Sequence, residues 1–434
     1  MGSYDLKGKR LLILGGNSAT LDLVRNAKDM GIYTIVTDNL TGGVAKDEAD
    51  ETAMVSTCDF DGLANLIKEK KIDGVFCGPS EFNIRNMLKL CEMTGLPCYS
   101  SSDTWEECAN KDVFKESCRK YGVDCIPEYD IDESTTDEEL EKIDYPIMIK
   151  PVDSHSSRGV KVCNNPAEVR VAIKEALEHS QCKRIIAEKF IENNGEIFST
   201  RYLIRDGKAV QYLCMDTCIT NPATRKNFNS SFSFGPSKYA KYYMENMNDK
   251  VIKMIEGMGL KNGTAFFQCL PYKGKIYFME MGYRLSGGMI FKLTEPMFGI
   301  NDMKMMLRLA LGGKMYEDEE VKDIDVLNPK KNAAQLMIPL DTGTVGKIEG
   351  LEETKKIKCV TDFIQYYDIG GVVEEKFVGT LSQHFGRFTM IAPSGDEIYE
   401  AVRQINKTLK VYNTEGEIMN TLKFDLKRIE HREI

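Results

Sequence analysis

Lys150 ends a short apolar run, Tyr145-Pro146-Ile147-Met148-Ile149, and the chain then passes through Ser154, His155, Ser156, Ser157 and Gly159 before Val160-Lys161-Val162. A strand, a loop of small residues and a second strand make a flap suited to a phosphate chain. Small side chains let backbone N–H groups approach phosphate oxygens, and the lysine brings a point charge. The same letters also describe a polar hairpin loop with an incidental lysine, so residues elsewhere must decide. Lys111, at the start of a helical stretch, offers a second cation for phosphates. Glu280 lies on Lys275–Met281, which reads as a hairpin with Gly263–Leu270 about Tyr272-Lys273-Gly274 and sets Glu280 beside Gln268. Two oxygen-bearing side chains at one cleft suit Mg²⁺ in phosphoryl transfer. Arg284 lies four residues past Glu280, just before Ser286-Gly287-Gly288. A guanidinium beside Mg²⁺ suits a transition state that spreads negative charge. His155 in the flap is a further candidate, for the γ-phosphate. The loop Asn221-Pro222-Ala223-Thr224-Arg225-Lys226 is another, for a carboxylate substrate, and both also read as solvated loops.

The elements that must position these residues follow from periodicity. Arg10 to Leu14, Tyr33 to Thr37 and Ile72 to Cys77 read as strands, Ala19 to Met30 and Ser80 to Thr94 as helices, and Gly95 to Tyr99 as the start of a further strand. That alternation predicts a doubly wound parallel unit. Gly15-Gly16 with Asp38 invites a dinucleotide reading, but the spacing lacks the second and third glycines of the G-x-G-x-x-G fingerprint. Helices are expected at Asn110 onward, within the acidic stretch Asp130 to Asp144, at Ala167 to His179 and at Asn248 to Gly257. Arg184 to Glu188 is a strand, and Glu196 to Ile204 with Ala209 to Thr217 forms a hairpin about Arg205-Asp206-Gly207-Lys208. From about Asn332 short strands dominate, with one helix near Asp396 to Thr408, and a separate α+β domain is expected.

The length of 434 residues predicts about three domains. A net charge of −9 argues against a nucleic-acid partner, without excluding small anions held by a local cationic cluster. The 13 cysteines are scattered with no C-x-x-C pair, and the four histidines lie far apart, which argues against zinc and for reduced thiols in the cytoplasm. No window approaches the 18 apolar residues of a membrane span and no signal-peptide core appears near the start, so neither membrane nor export is expected.

In order and spacing, Lys111, Lys150 with its flap, Glu188-Lys189-Phe190-Ile191, Glu196, and Phe278 to Gly288 together resemble the ATP-grasp superfamily. The family includes D-alanine–D-alanine ligase, biotin carboxylase and the carbamoyl phosphate synthetase large subunit. The resemblance covers about residues 8 to 315. It implies a mixed α/β and α+β fold: an N-terminal Rossmann-like domain (1–105), a central ATP-grasp domain (106–330) with a flap subdomain at about 126–190, and a C-terminal α+β domain (331–434). It implies ATP and Mg²⁺, or Mn²⁺, as cofactors. By this resemblance Lys111, Lys150, Ser154, His155, Ser156, Ser157, Gly159 and Glu188 to Ile191 hold the nucleotide, with the hinge backbone at the adenine edge and Glu196 on the ribose. Gln268 and Glu280 would hold metal. The family usually places an acid at the Gln268 position and Glu-x-Asn at Glu280, whereas here Gly282 replaces the asparagine. That departure implies one firmly held Mg²⁺ or ligands from elsewhere. The run E-x-x-x-R-x-x-G-G resembles the L-amino-acid ligase branch, making Arg284 and Lys150 catalytic and Arg284, Ser286, Gly287 and Gly288 substrate contacts. The implied reaction joins a small-molecule carboxylate to an amine through an acyl phosphate, with no protein nucleophile, in a cytoplasmic protein for which a homodimer is expected. Carboxylation or formyl transfer, a regulatory nucleotide binder and a nicotinamide-dependent oxidoreductase are the alternatives.

Overall fold

The computed structural model describes residues 6–152, 159–220 and 230–430. Ser154, His155, Ser156 and Ser157 of the flap and the loop 221–226 lie outside the described residues. The chain begins with alternating elements: β1 (Arg10–Leu14), α1 (Ser18–Asp29), β2 (Tyr33–Thr37), α2 (Val44–Glu48), β3 (Glu51–Ala53), α3 (Phe60–Lys70), β4 (Gly74–Phe76) and α4 (Glu81–Thr94). The four strands are parallel, in the order β3-β2-β1-β4. Leu11 to Leu14 are wholly buried, as in a sheet covered on both faces. Asp38 accepts a hydrogen bond from the Gly16 N–H at 2.7 Å and pairs with Lys46 at 2.5 Å, so it closes the glycine turn. The strand expected at Gly95 to Tyr99 does not form. Tyr99 is instead 5% exposed and packs edge-on against Tyr283, ring centroids 5.2 Å apart, so an apolar run is spent on a long-range aromatic contact.

Two helices, α5 (Ser102–Ala109) and α6 (Lys111–Tyr121), lead into the flap unit. It holds β5 (Glu128–Tyr129), α7 (Asp137–Leu140), β6 (Ile147–Pro151), β7 (Lys161–Cys163), α8 (Pro166–His179) and β8 (Ile185–Lys189), with antiparallel strand order β5-β8-β6-β7. The pleat of β6 sends Ile147 and Ile149 into a small core with Val169, Ala172 and Ile173 of α8, which leaves Met148 and Lys150 on the opposite face.

The remainder is dominated by one large sheet. Its members are β9 (Glu196–Arg205), β10 (Lys208–Ile219) and β11 (Ser230–Gly235); then, after α9 (Ala240–Asn246) and α10 (Asn248–Gly257), β12 (Gly263–Tyr272) and β13 (Lys275–Gly282). Past α11 (Phe291–Phe298) and α12 (Asp302–Ala310) come β14 (Asn332–Pro339), β15 (Gly343–Glu349), β16 (Val360–Gln365), β17 (Val372–Val373), β18 (His384–Ala392) and β19 (Lys410–Asn413). The eight-stranded order is β13-β12-β9-β10-β11-β14-β18-β16, and β17-β15-β19 forms a separate small sheet. The expected boundary near residue 331 therefore falls between β11 and β14, which are hydrogen-bonded neighbours. One face of the large sheet carries Phe198, Tyr202, Phe267 and Phe278, which pack with Phe114 and Tyr243 from the covering helices. The other face is polar. Register puts Glu280, Gln268 and Ser199 side by side on it, and Ser233, Gln335, Thr389 and Asp362 further along.

Candidate functional site

Lys150 and Glu188 stand on the same face of the flap sheet, because Met148 pairs with Glu188 and Lys150 with Ile186. Their charged ends are in contact, and Glu188 is 2% exposed. A third group, Lys115, closes the cluster. It projects from α6, is itself 2% exposed, bonds the second Glu188 oxygen and lies 2.7 Å from Glu128. Burial pushes the Glu188 carboxyl up, but the two ammonium groups outweigh it and hold that carboxyl below its usual range. Glu188 thus acts as a buried counter-ion that aims Lys150 from the strand end.

Lys115 is the cation that sequence reading missed. Lys111 stands one turn earlier, at the first position of α6, whose N-cap Asn110 accepts from the Asp112 N–H at 2.9 Å. The available signal was a lysine wedged beside the apolar pair Phe114 and Cys118.

At the hinge, two of the backbone donors are already used. The Lys189 N–H bonds Pro127 at 2.9 Å and the Phe190 N–H bonds Pro146 at 3.0 Å. The Lys189 ammonium is held by Asp144 at 2.7 Å. The N–H of Ile191, a residue 7% exposed, has no hydrogen-bond partner among the described residues. A buried donor without an acceptor suits the edge of a planar base. Glu196 begins β9 and is met by the Tyr239 hydroxyl at 2.8 Å and by Lys238 at 3.1 Å.

Gln268 and Glu280 are direct cross-strand partners, with Ser199 on the other side of Gln268. Phe266 pairs with Gly282 two positions along, and a Cβ at Gly282 would lie 2.3 Å from that ring. Phe266 therefore fills the space that any side chain at position 282 would need. Among the described residues no three His, Cys, Asp or Glu side chains converge on a metal position. One carboxylate and one amide fit Mg²⁺ if phosphate and water oxygens supply the rest.

Arg284 follows the end of β13. Its Nε and Nη2 donate to Glu81 at 3.2 and 3.0 Å, Nη1 donates to the Leu285 carbonyl at 3.0 Å, and its guanidinium lies 5.1 Å from the Phe266 ring centroid. Glu81 is the first residue of α4, which starts where Ser80 caps the Asn83 N–H. No sequence signal linked Glu81 to Arg284. Beyond Arg284, the Gly288 carbonyl accepts from Gln335 of β14 at 2.7 Å, which draws the Ser286-Gly287-Gly288 loop over the polar face of the sheet. Gly159, past the flap, has φ 71°, and a Cβ there would sit 2.9 Å from Pro151.

Residues 110–318 match the family model for the carbamoyl-phosphate synthase L chain ATP-binding domain. The formate-dependent phosphoribosylglycinamide formyltransferase of Sulfurisphaera tokodaii is 26% identical over 362 residues, 81% of this chain and 86% of that protein. Among solved structures, the L-amino acid ligase from Bacillus licheniformis superposes with a TM-score of 0.76 at 21% identity, over 94% of this chain and 99% of that one. Phosphoribosylglycinamide synthetase from Anaerococcus prevotii gives 0.72 at 18% identity, over 94% and 100%. Fold, strand register and family match converge: residues 110–318 carry an ATP-binding domain of the carbamoyl-phosphate synthase L chain family, within a chain that has the ATP-grasp fold.

Proposed function

We propose that this protein is a carboxylate–amine ligase that activates a small carboxylate with ATP and transfers the acyl group to an amine. The observation that carries the reading is the Arg284–Glu81 pair, set beside the facing side chains Gln268 and Glu280. Lys150, aimed by Glu188 and Lys115, is placed for the phosphate chain, with the Ile191 N–H at the adenine edge and Glu196 for the ribose. Glu280 and Gln268 would hold Mg²⁺, which neutralises phosphate charge when bound. The substrate carboxylate attacks the γ-phosphorus and ADP leaves. Arg284 offers its fork to the oxygens of the resulting acyl phosphate, where charge develops. As Arg284 turns to that anion, the carboxylate of Glu81 is left to hold the incoming amine. The neutral amine attacks the carbonyl carbon, the C–O bond to phosphate breaks, the departing phosphate takes the proton that the nitrogen loses, and an amide remains. The chain's own contribution is positioning and charge neutralisation, so no side chain need serve as a nucleophile.

Formyl transfer from formate is the second reading, favoured by the formyltransferase relative that spans 81% of this chain. It uses the same geometry with the smallest acid. The test is ADP release with Mg²⁺ATP over a matrix of carboxylates, formate included, and amines. The ligase reading expects ADP only when both an acid and an amine are present. ADP release confined to formate would establish the second reading, and no acid-dependent release from an active nucleotide-binding preparation would refute both.

A further inference from the structure

The C-terminal segment crosses from the last strands of the chain back to the start of β9. Phe424 stacks on Phe232 of β11, ring centroids 4.7 Å apart, and Phe424, Leu426 and Ile429 are buried. Between these anchors Arg428 projects from the short helix Lys427–Glu430, its guanidinium 5.6 Å from the Phe424 ring centroid. Its Nη1 donates to the Ile219 carbonyl at 2.7 Å and its Nη2 to the Asn194 carbonyl at 2.9 Å. These acceptors lie 209 and 234 residues earlier in the chain.

Asn194 belongs to the connection that leads from β8 of the flap sheet to β9 of the large sheet. Ile191, whose N–H faces the adenine edge in the proposed function, opens that connection, and Glu196, assigned to the ribose, closes it. Asn194 and Gly195 have φ of 56° and 68°. The chain therefore reverses through two left-handed residues, a conformation uncommon for one that carries a side chain. Bonds from several directions hold the turn. The Asn193 side chain donates to the Glu196 carbonyl at 2.6 Å and to the Pro271 carbonyl at 3.2 Å. The Ile219 N–H donates to the Gly195 carbonyl at 3.0 Å. Arg428 spans the same two segments, 194–195 and 219, and does so from outside the ATP-binding match at 110–318. Because a guanidinium presents its donors in a rigid fork, one side chain fixes the spacing of both carbonyls.

We infer that Arg428 is a positioning residue for the nucleotide: from the C-terminal segment it holds the turn at Asn194, and through that turn the adenine and ribose contacts on either side. This rests on the reading that places the nucleotide between Ile191 and Glu196. A loop already ordered in its bound form spares the ordering cost at binding, so affinity rises without a new contact to the ligand. Acting at the turn, the guanidinium takes no part in the phosphoryl step. Its loss should raise KM for ATP and leave kcat nearly unchanged.

The test measures Mg²⁺ADP binding to the full chain by calorimetry. Amide exchange is followed without nucleotide at Asn193, Glu196 and Ile219, whose N–H groups are bonded within or across the turn. Arg428→Met should raise the Kd about three- to tenfold, and the three amides should exchange faster than in wild type. Arg428→Lys, whose single ammonium replaces the fork, should fall between the two. Ile429→Val loosens the same helix from its core without touching the guanidinium. It should lower the melting temperature and leave the Kd and the three amides as in wild type. An unchanged Kd or unchanged exchange in Arg428→Met, no recovery in Arg428→Lys, or an equal loss of affinity in Ile429→Val would each overturn the inference alone. A wild-type protein that does not bind Mg²⁺ADP would overturn the nucleotide reading and the inference with it.

Discussion

Gly282→Asn should restore the family's usual side chain and yet destabilise the protein. The added Cβ would approach Phe266 to 2.3 Å, where ordinary contact begins at 3.4 Å, so one partner must move by about 1 Å. The glycine's backbone is not in the left-handed region, so the expected cost is steric and not torsional. The ring cannot simply swing away, because Phe266 is 7% exposed and carries the Arg284 guanidinium on its face. Overpacking of this kind costs about 1–3 kcal/mol. Phe266→Ala alone should cost about 3–5 kcal/mol as a large-to-small change. In the double variant the asparagine has room, so its own cost should fall to within about 0.5 kcal/mol, a coupling of about 1–3 kcal/mol. Urea denaturation followed by tryptophan fluorescence reads this well. The sole tryptophan, Trp105, is buried and donates to the Tyr283 carbonyl at 3.0 Å, next to the substituted residue. Additive costs, or a Gly282→Asn protein as stable as wild type, would refute the account of why position 282 is a glycine.

Arg284→Ala should bind Mg²⁺ATP almost normally and lose about 10²–10³-fold in turnover, since its contact matters mainly in the transition state; wild-type turnover in the matrix assay would remove its catalytic role. Lys150→Ala should weaken ADP binding by about 1.5–3 kcal/mol in calorimetry, and unchanged affinity would show that Glu188 and Lys150 form a structural pair only. Gln268→Glu should tighten Mg²⁺ binding in the presence of ADP, by adding a carboxylate opposite Glu280; an unchanged Mg²⁺ titration would move the metal away from β12. Burial lowers the His384 imidazole below its ordinary value. The unfolded chain therefore takes up this proton first as pH falls. The stabilising contribution is complete above about pH 6.5 and is lost as pH drops toward the depressed folded value. His384→Gln should flatten that part of the stability profile, and an identical acid slope in both proteins would assign the dependence elsewhere.

The order of elements and one half of the site were legible in the sequence, because each depends on neighbours along the chain. Alternation in Gly263–Tyr272 and Lys275–Gly282, joined by a short turn, sets Gln268 opposite Glu280 by local register alone. The strand end at Lys150 and the caps of α4 and α6 are likewise local matters. Tertiary structure decided the rest. Arg284 meets Glu81 across 203 residues of chain, and Gln335 reaches Gly288 across 47. Lys111 and Lys115 are equally eligible by composition, and only the packing of α6 against the flap sheet buries Lys115 on Glu188. The run at Gly95 to Tyr99 has the letters of a strand, but Pro97 has no N–H to give a ladder, and Tyr99 is held by long-range packing against Tyr283. That β14, β16 and β18 extend the central sheet instead of forming their own was also invisible. Strand letters specify a face and a length, whereas the choice of partner depends on which edge the folded chain leaves open. The same choice places Thr389 on a face that starts, six strands away in the same sheet, at Glu280.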